Sequence, residues 1–447
     1  MRDVVFFAFL VGSLPVCFMN PYYGVLMWYW ISYFNPHRFT FGFAYNLPVA
    51  FMVAVPTLAG ILFARKSLRS LLTSESILLI CLWAWYSISY IRARGVPIFV
   101  GHLNEMNYEM DHISKIIFMT LIMVVVVTNR QRIYGVMLVT GGSLGLLALK
   151  GAIFGARTSG EERVFGPPDS FLADNNGFGL AVNVCLPILF FLARNERRRW
   201  LRILLYICFG GGVVAVLLTY SRGALLGLVM VLGMILLRSR HKLLAVFACV
   251  LAAFIILAIA PPAWMNRMGN FAEGNLDGTA NQRLISWETA WKFSHDYPVL
   301  GGGFDTIGDV FLYKRYQPRQ LPGGLISSGP HSIYFQLLAD QGFVGLGLFL
   351  LILACCFFTL ARTRFAARRL PRARWLVDYT LMVEIGLLAF MTSGAFLGFA
   401  YLDLLYQMVG LTAVLKILLR QEVIAARAET ATSLGDVEVL EAAPSLA

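Results

Sequence analysis

Apolar runs of about 20 residues, each long enough for one helix to cross a bilayer, recur along the chain between short polar or basic connections. They fall at 4–34 (interrupted at Asn20-Pro21), 47–64, 75–91, 112–128, 132–150, 174–193, 203–220, 223–237, 243–260, 332–360, 376–395 and 397–419. Counting the first stretch once gives twelve crossings, so the expected fold is all-α: a polytopic transmembrane helical bundle. One connection stands apart in length and polarity. The chain thus divides into nine spans with short loops over 1–260, a large loop over 261–331, three further spans over 332–420, and a tail over 421–447. From Arg427 that tail is rich in Ala, Glu, Ser and Thr without apolar periodicity, which predicts a disordered end.

The large loop has order of its own. From Ala280 to Phe293, Leu284, Trp287 and Trp291 recur at helical spacing among charged positions, predicting an amphipathic helix lying near the membrane–water boundary. Tyr297-Pro298 ends it, and Gly301-Gly302-Gly303-Phe304 supplies a tight turn.

Composition agrees with the membrane reading. The chain has 447 residues, 58% hydrophobic and 14% charged, with a mean hydropathy of +0.69, outside the range of soluble globular proteins. One alternate set of short connections holds 23 of the 37 basic residues, and basic residues stay on the cytoplasmic side during insertion. This places both termini in the cytoplasm and the large loop outside. Topology therefore accounts for most of the net charge of +12, and no nucleic-acid partner is needed. The first apolar stretch lacks a small-residue cleavage site and runs into Met27-Trp28-Tyr29-Trp30, so it reads as a retained segment. All seven cysteines fall inside apolar spans, which predicts core residues and no disulfide framework.

A few polar residues sit where membrane physics disfavours them. Arg222, in Thr219-Tyr220-Ser221-Arg222-Gly223, lies between two spans on the side opposite the basic loops; there it either snorkels or meets an anion, and its placement against the charge rule favours the anion. Arg283 lies on the helix of the large loop, where a planar guanidinium fork matches phosphate oxygens, although a solvated face would explain it alone. Lys292, Lys314, Arg315 and Arg319 add positive charge that attraction to lipid headgroups explains equally well. His331 follows Pro330 at the start of the helix His331-Ser332-Ile333-Tyr334, where the positive end of the helix dipole disfavours the imidazolium and keeps the ring able to accept a proton. Arg163 opens a second external loop that leads through Asp174, Asn175 and Asn176 into a span. Helix capping is the default role of these three, and a polar ligand contact by Asn175 or Asn176 is the alternative.

Glu384 and Asp403 lie inside spans, as partners of a basic group or as a proton path in a transporter. His37, His102, His112, His241 and His295 show no metal-ligand spacing and read as structural or surface residues. No phosphate loop, His-Glu-x-x-His or Asp-x-Asp is present, so no metal or other cofactor is expected. Gly151/Gly155 and Gly223/Gly227 match Gly-x-x-x-Gly, for which close helix packing is reason enough.

Ser221-Arg222-Gly223, Gln282-Arg283 to Trp287, Pro298 to Phe304, and Pro330-His331 followed by Gln336-Leu337 and Gly342-Phe343-Val344-Gly345 occur in order. That series resembles the O-antigen ligase and polymerase superfamily over about Arg222 to Gly347, and Met1 to Pro36 with Arg163 to Asn176 is similar to its O-glycosylation ligase subgroup. The resemblance implies a GT-C-like bundle with a helical periplasmic cap in the bacterial inner membrane. It implies an O-antigen ligase that moves a glycan from undecaprenyl diphosphate to a hydroxyl of lipid A-core at a site facing the periplasm. Arg222 and Arg283 correspond to the family's diphosphate-binding arginines, and His331 to its catalytic histidine. Where the family often has Asn after that histidine, this chain has Ser332, which leaves the acceptor open. A polymerase and a protein O-oligosaccharyltransferase share the donor, and a lipid-linked glycan transporter is the competing class.

Overall fold

The structure, a computed structural model, describes residues 1–238, 278–320 and 327–441. The expected span at 243–260 and His241 lie outside them. Among the described residues there is no strand. Among the described residues, nine α-helices precede the large loop: α1 (Arg2–Met19), α2 (Pro21–Phe34), α3 (Val49–Phe63), α4 (Ser74–Arg94), α5 (Leu103–Val126), α6 (Arg130–Arg157), α7 (Asn175–Asn195), α8 (Arg199–Leu218) and α9 (Arg222–Leu237). The loop contributes α10 (Gly278–Asp296) and α11 (Val310–Tyr316), and α12 (Ile333–Arg369), α13 (Leu376–Gly394) and α14 (Asp403–Glu441) follow. Seven of these are long and apolar enough to cross a membrane: α1, α4, α6, α7, α8, α12 and α13. Two more, α3 and α9, are apolar but shorter.

The helices start where short polar side chains can satisfy otherwise unpaired amides. Thr73 caps α4, Asn129 caps α6, and Ser221 caps α9. Asp174 caps α7, accepting from the backbone amides of Asn176 (2.9 Å) and Gly177 (3.1 Å). Helix α7 is the centre of the bundle, almost wholly buried, and packs against α6, α8, α9 and α13. Small residues make that packing possible. Gly227 faces Ser393 of α13, Gly155 faces Leu218 of α8, and Gly151 faces Val164. Six cysteines among the described residues are free, and Cys81 is exposed on α4 and not in the core as its apolar setting suggested. A cysteine is small and apolar enough to face lipid as readily as protein.

The first apolar stretch does not cross once. At Asn20 the backbone leaves the helix, the Asn20 side chain accepts from the Tyr22 amide, and Pro21 begins a new helix. The rings of Phe9 and Trp30 then meet edge to face at 5.6 Å, so α1 and α2 form an antiparallel hairpin. The Asp3 carboxylate accepts from the amides of Gly42 (2.9 Å) and Ala44 (3.1 Å), while Phe18 meets Phe63 at the other end. The Tyr22 hydroxyl donates to the carbonyl of Arg132 (3.1 Å), and Ser32 bonds to Asp403. Met1 therefore lies on the face carrying loop 158–174, the α8–α9 junction and His331. Helix α14 runs toward the opposite, basic face, where Arg372 and Trp375 bond to Glu422. This corrects the expectation that both termini share a side: only the C-terminal helix ends among the basic loops. That helix spans Asp403–Glu441. Its Ala, Glu and Arg residues favour helix, and Arg372 bonds to Glu429 as well.

Helix α10 coincides with the expected amphipathic segment, and a second face of it packs on the protein. Ile285, Thr289, Ala290 and Phe293 are enclosed, whereas Leu284 and Trp291 are exposed. Beyond it, Gly301 and Gly303 adopt positive φ, and the amides of Gly302 and Gly303 donate to the carbonyls of Ala339 (2.9 Å) and Asp340 (2.8 Å). Gly342, with φ of 69°, breaks α12 at the same level, and the Phe343 amide donates to the Pro298 carbonyl at 2.8 Å. The loop is thereby fastened to α12 through backbone, leaving the short segment 333–341 to carry the preceding His331.

Candidate active site

Three helix N-termini meet on the face opposite the basic loops: those of α7 (Asn175), α9 (Arg222) and α12 (Ile333). The link at 395–402 between α13 and α14 touches all three. Phe399 packs on Gly177, Phe396 and Leu397 on Gly223, and Gly398 against Pro330 and the backbone of His331. Two polar contacts fix the geometry. Asn175 Nδ2 donates to the Thr219 carbonyl (2.7 Å), joining the start of α7 to the turn before Arg222. The Ala400 amide donates to Gln336 Oε1 (3.0 Å), joining the link to the first turn of α12. Unpaired amides at helix N-termini make such a junction electropositive.

His331 is half-buried, and its backbone φ of 44° lies in the left-handed region. A non-glycine residue there costs about 1–3 kcal/mol and persists where its surroundings hold it. Trp287 of α10 supplies part of that hold: its Nε1 donates to the Pro330 carbonyl at 2.9 Å, and its ring stacks on Phe335 with centroids 5.3 Å apart. Burial pushes the imidazole below its ordinary value of 6.5, the Arg283 guanidinium pushes it the same way, and the Asp174 carboxylate opposes both. The ring is thus biased toward its neutral, proton-accepting form.

Of the residues singled out from sequence, the structure brings Arg283 to His331 and places Arg222 at the first position of α9, one residue before the Gly223 that shares the 396–398 contact. Asn175 is buried and holds two elements together, and Asn176 bonds to Asp174 and Asn175. Ser332 is buried at the N-cap of α12 without capping through its side chain. Arg163 lies elsewhere, exposed on loop 158–174. Asp174 was read from sequence only as a cap, and nothing local signals its electrostatic hold on a histidine 157 residues away.

A second polar group lies beneath the loop. His102 Nδ1 is 3.4 Å from Asp309 Oδ2, and burial raises Asp305 to about 6, with Glu105 and Asp309 adding to the rise and His102 opposing it. Asp340 accepts from the Thr306 amide (2.9 Å) and the Tyr401 hydroxyl (3.0 Å). His112 stacks on Phe171 at 4.0 Å, and its Nε2 is 3.3 Å from Asp403. His102 and His112 are therefore engaged and not surface residues. Glu384 accepts from Arg364 (3.2 Å for one of two bonds). Glu384 and Asp403 thus both have protein partners, Arg364 for the first and Ser32 and His112 for the second.

A polytopic all-helical membrane protein, with Arg222 and His331 at two of three converging helix N-termini, is the class the structure defines. Residues 207–350, which include Arg222, Arg283 and His331, match the family model described as O-antigen ligase. Residues 1–197 match a family of unknown function. No curated protein matches the chain. The chain thus carries, over residues 207–350, a region of the O-antigen ligase family.

Proposed function

We propose that the chain is an O-antigen ligase of the bacterial inner membrane, transferring a glycan from undecaprenyl diphosphate to a hydroxyl of lipid A-core at the periplasmic face. The observation that carries the reading is a half-buried His331, its proton affinity lowered by burial and by the charge of Arg283, inside the region matched as O-antigen ligase. As the glycosidic bond breaks, negative charge develops on the diphosphate, and Arg222 and Arg283 stabilise it in a partly dehydrated site. His331 takes the acceptor hydroxyl proton, a general-base contribution of about 10²- to 10⁴-fold. Attack from the face opposite the leaving group inverts the anomeric carbon. The charge rule puts the basic face in the cytoplasm, which supports a periplasmic site.

The test is a gel profile of lipopolysaccharide and lipid-linked glycan after deletion of the gene and complementation with wild type or His331→Ala. The expected result is loss of the O-antigen ladder to bare lipid A-core with accumulation of long lipid-linked polymer, restored by wild type only. A persisting band with one repeat unit would make the protein a polymerase. An unchanged profile would point to a protein or another glycan as acceptor.

A further inference from the structure

A separate cavity of about 580 Å³ opens on the site face beside the C-terminal third of α6. Its wall is largely aromatic and aliphatic, with Phe39, Leu147, Phe154 and Phe165, and it carries two cations, Lys150 and Arg163. Arg222, Arg283 and His331 do not line it. Helix α6 has 28 residues, about 42 Å at 1.5 Å per residue, and so exceeds a hydrocarbon core of about 30 Å. Lys150 precedes the last residue of α6 by seven positions, about 10 Å along the axis, which places it near the boundary of the core. Its ammonium lies 4.3 Å from the centre of the Phe39 ring, and among the described residues no carboxylate forms an ion pair with it. Among the described residues Glu162 is the one carboxylate on the cavity wall, against two cations.

Leu146, Ile153 and Phe154 are exposed at i, i+7 and i+8, a stripe on α6 that faces lipid. Phe154 belongs both to this stripe and to the cavity, and Phe165 is also exposed at the cavity. A soluble anion has no use for such a wall. We propose that this cavity is a binding site for an anionic glycerophospholipid of the surrounding bilayer. Lys150 and Arg163 hold the phosphate, and the acyl chains lie on Phe39, Phe154 and Phe165. The Val164 amide donates to the Leu218 carbonyl (2.9 Å), and Tyr220, two residues before Arg222, bonds to the Gly160 carbonyl. An occupied cavity would steady the loop that packs on the α8–α9 junction.

Native mass spectrometry of the full chain with added phosphatidylglycerol or phosphatidylcholine tests this. The wild type should retain one more phosphatidylglycerol than the Lys150→Gln/Arg163→Gln variant, with at least tenfold tighter binding, and phosphatidylcholine should not distinguish them. Lys150→Arg keeps the charge and should retain the adduct, which separates loss of binding from loss of fold. Equal phosphatidylglycerol binding by wild type and the double variant overturns the proposal. Displacement of the lipid by millimolar inorganic phosphate also overturns it, since the site would then be one for a free anion. A raised KM for a lipid-linked glycan with the phosphatidylglycerol adduct intact would assign the cavity to the donor instead. The readout is lipid binding, so failure of the ligase reading leaves this result interpretable.

Discussion

The Nε1 of Trp287 donates a 2.9 Å hydrogen bond to the carbonyl of Pro330, so the helix that carries Arg283 also holds the residue before His331. One side chain thus couples the cation to the proton acceptor. Trp287→Phe keeps a ring to stack on Phe335 but removes the donor, at about 0.5–1.5 kcal/mol of positioning. The expected outcome is a fall in kcat of about threefold to tenfold with little change in KM for the lipid-linked donor. An unchanged kcat in a single-turnover glycan transfer assay would show that the bond does not position His331.

Burial, and then the charges of Arg283 and Asp174, set the pH at which His331 can accept a proton. Its folded pKa lies below 6.5, so the neutral form persists through neutral pH and is lost only as pH falls through that lowered value. The acid limb of kcat/KM should therefore lie below 6.5 in the wild type. Arg283→Gln removes a cation that disfavours the imidazolium and should shift the limb upward, in addition to lowering the rate. Asp174→Asn removes the opposing carboxylate and should shift it downward. Limbs that stay in place in both variants would mean that another group titrates.

The site was legible where chemistry conflicts with the membrane. Arg222, Arg283 and His331 stand out because charge and imidazole on the face away from the basic loops need a reason. What was not legible depends on contacts across the chain. The break at Asn20-Pro21 is visible in sequence, but a break does not say whether the next helix continues or turns back; the Phe9–Trp30 contact decides it. On α10, Leu284 and Trp291 mark an apolar face suited to the membrane boundary, but the face that packs on the protein is not evident from the sequence. Ile285 and Phe293 face the protein. The roles of Asp174, His102 and His112 likewise exist only through partners distant in sequence.

Gly342 is where backbone geometry, and not side-chain chemistry, holds the loop on α12. Its φ is 69°, and a Cβ there would meet the carbonyl oxygens of Val299 and Pro298 at 2.4 and 2.6 Å. Gly342→Ala should destabilise the protein by more than about 1 kcal/mol, because neither backbone can yield without losing the Phe343–Pro298 bond. Gly347, five residues on in the same helix, has nothing within 4 Å of its Cβ position. Gly347→Ala should be neutral or stabilising by about 0.5–1 kcal/mol. Melting temperatures of the two variants in one detergent check the contrast, and equal behaviour would remove the fastening role of Gly342.

The hairpin of α1 and α2 makes the sidedness of the N-terminus a direct test of the fold. Arg2 and Phe41 are both exposed on the site face, held there by the bonds from Asp3 to Gly42 and Ala44. Lys66 and Arg420 are exposed on the basic face. Single cysteines replacing each of these four residues, treated in spheroplasts with a membrane-impermeant maleimide, should separate into two pairs. Arg2→Cys should react together with Phe41→Cys in intact cells, and Lys66→Cys and Arg420→Cys only after permeabilisation. Were Arg2→Cys to label with Lys66→Cys, the first stretch would cross once and Asp3 could not reach Gly42. The N-terminal third would then need a different packing against α3 and α6, while the contacts of the 395–402 link with Gly177, Gly223 and the backbone of His331 would persist.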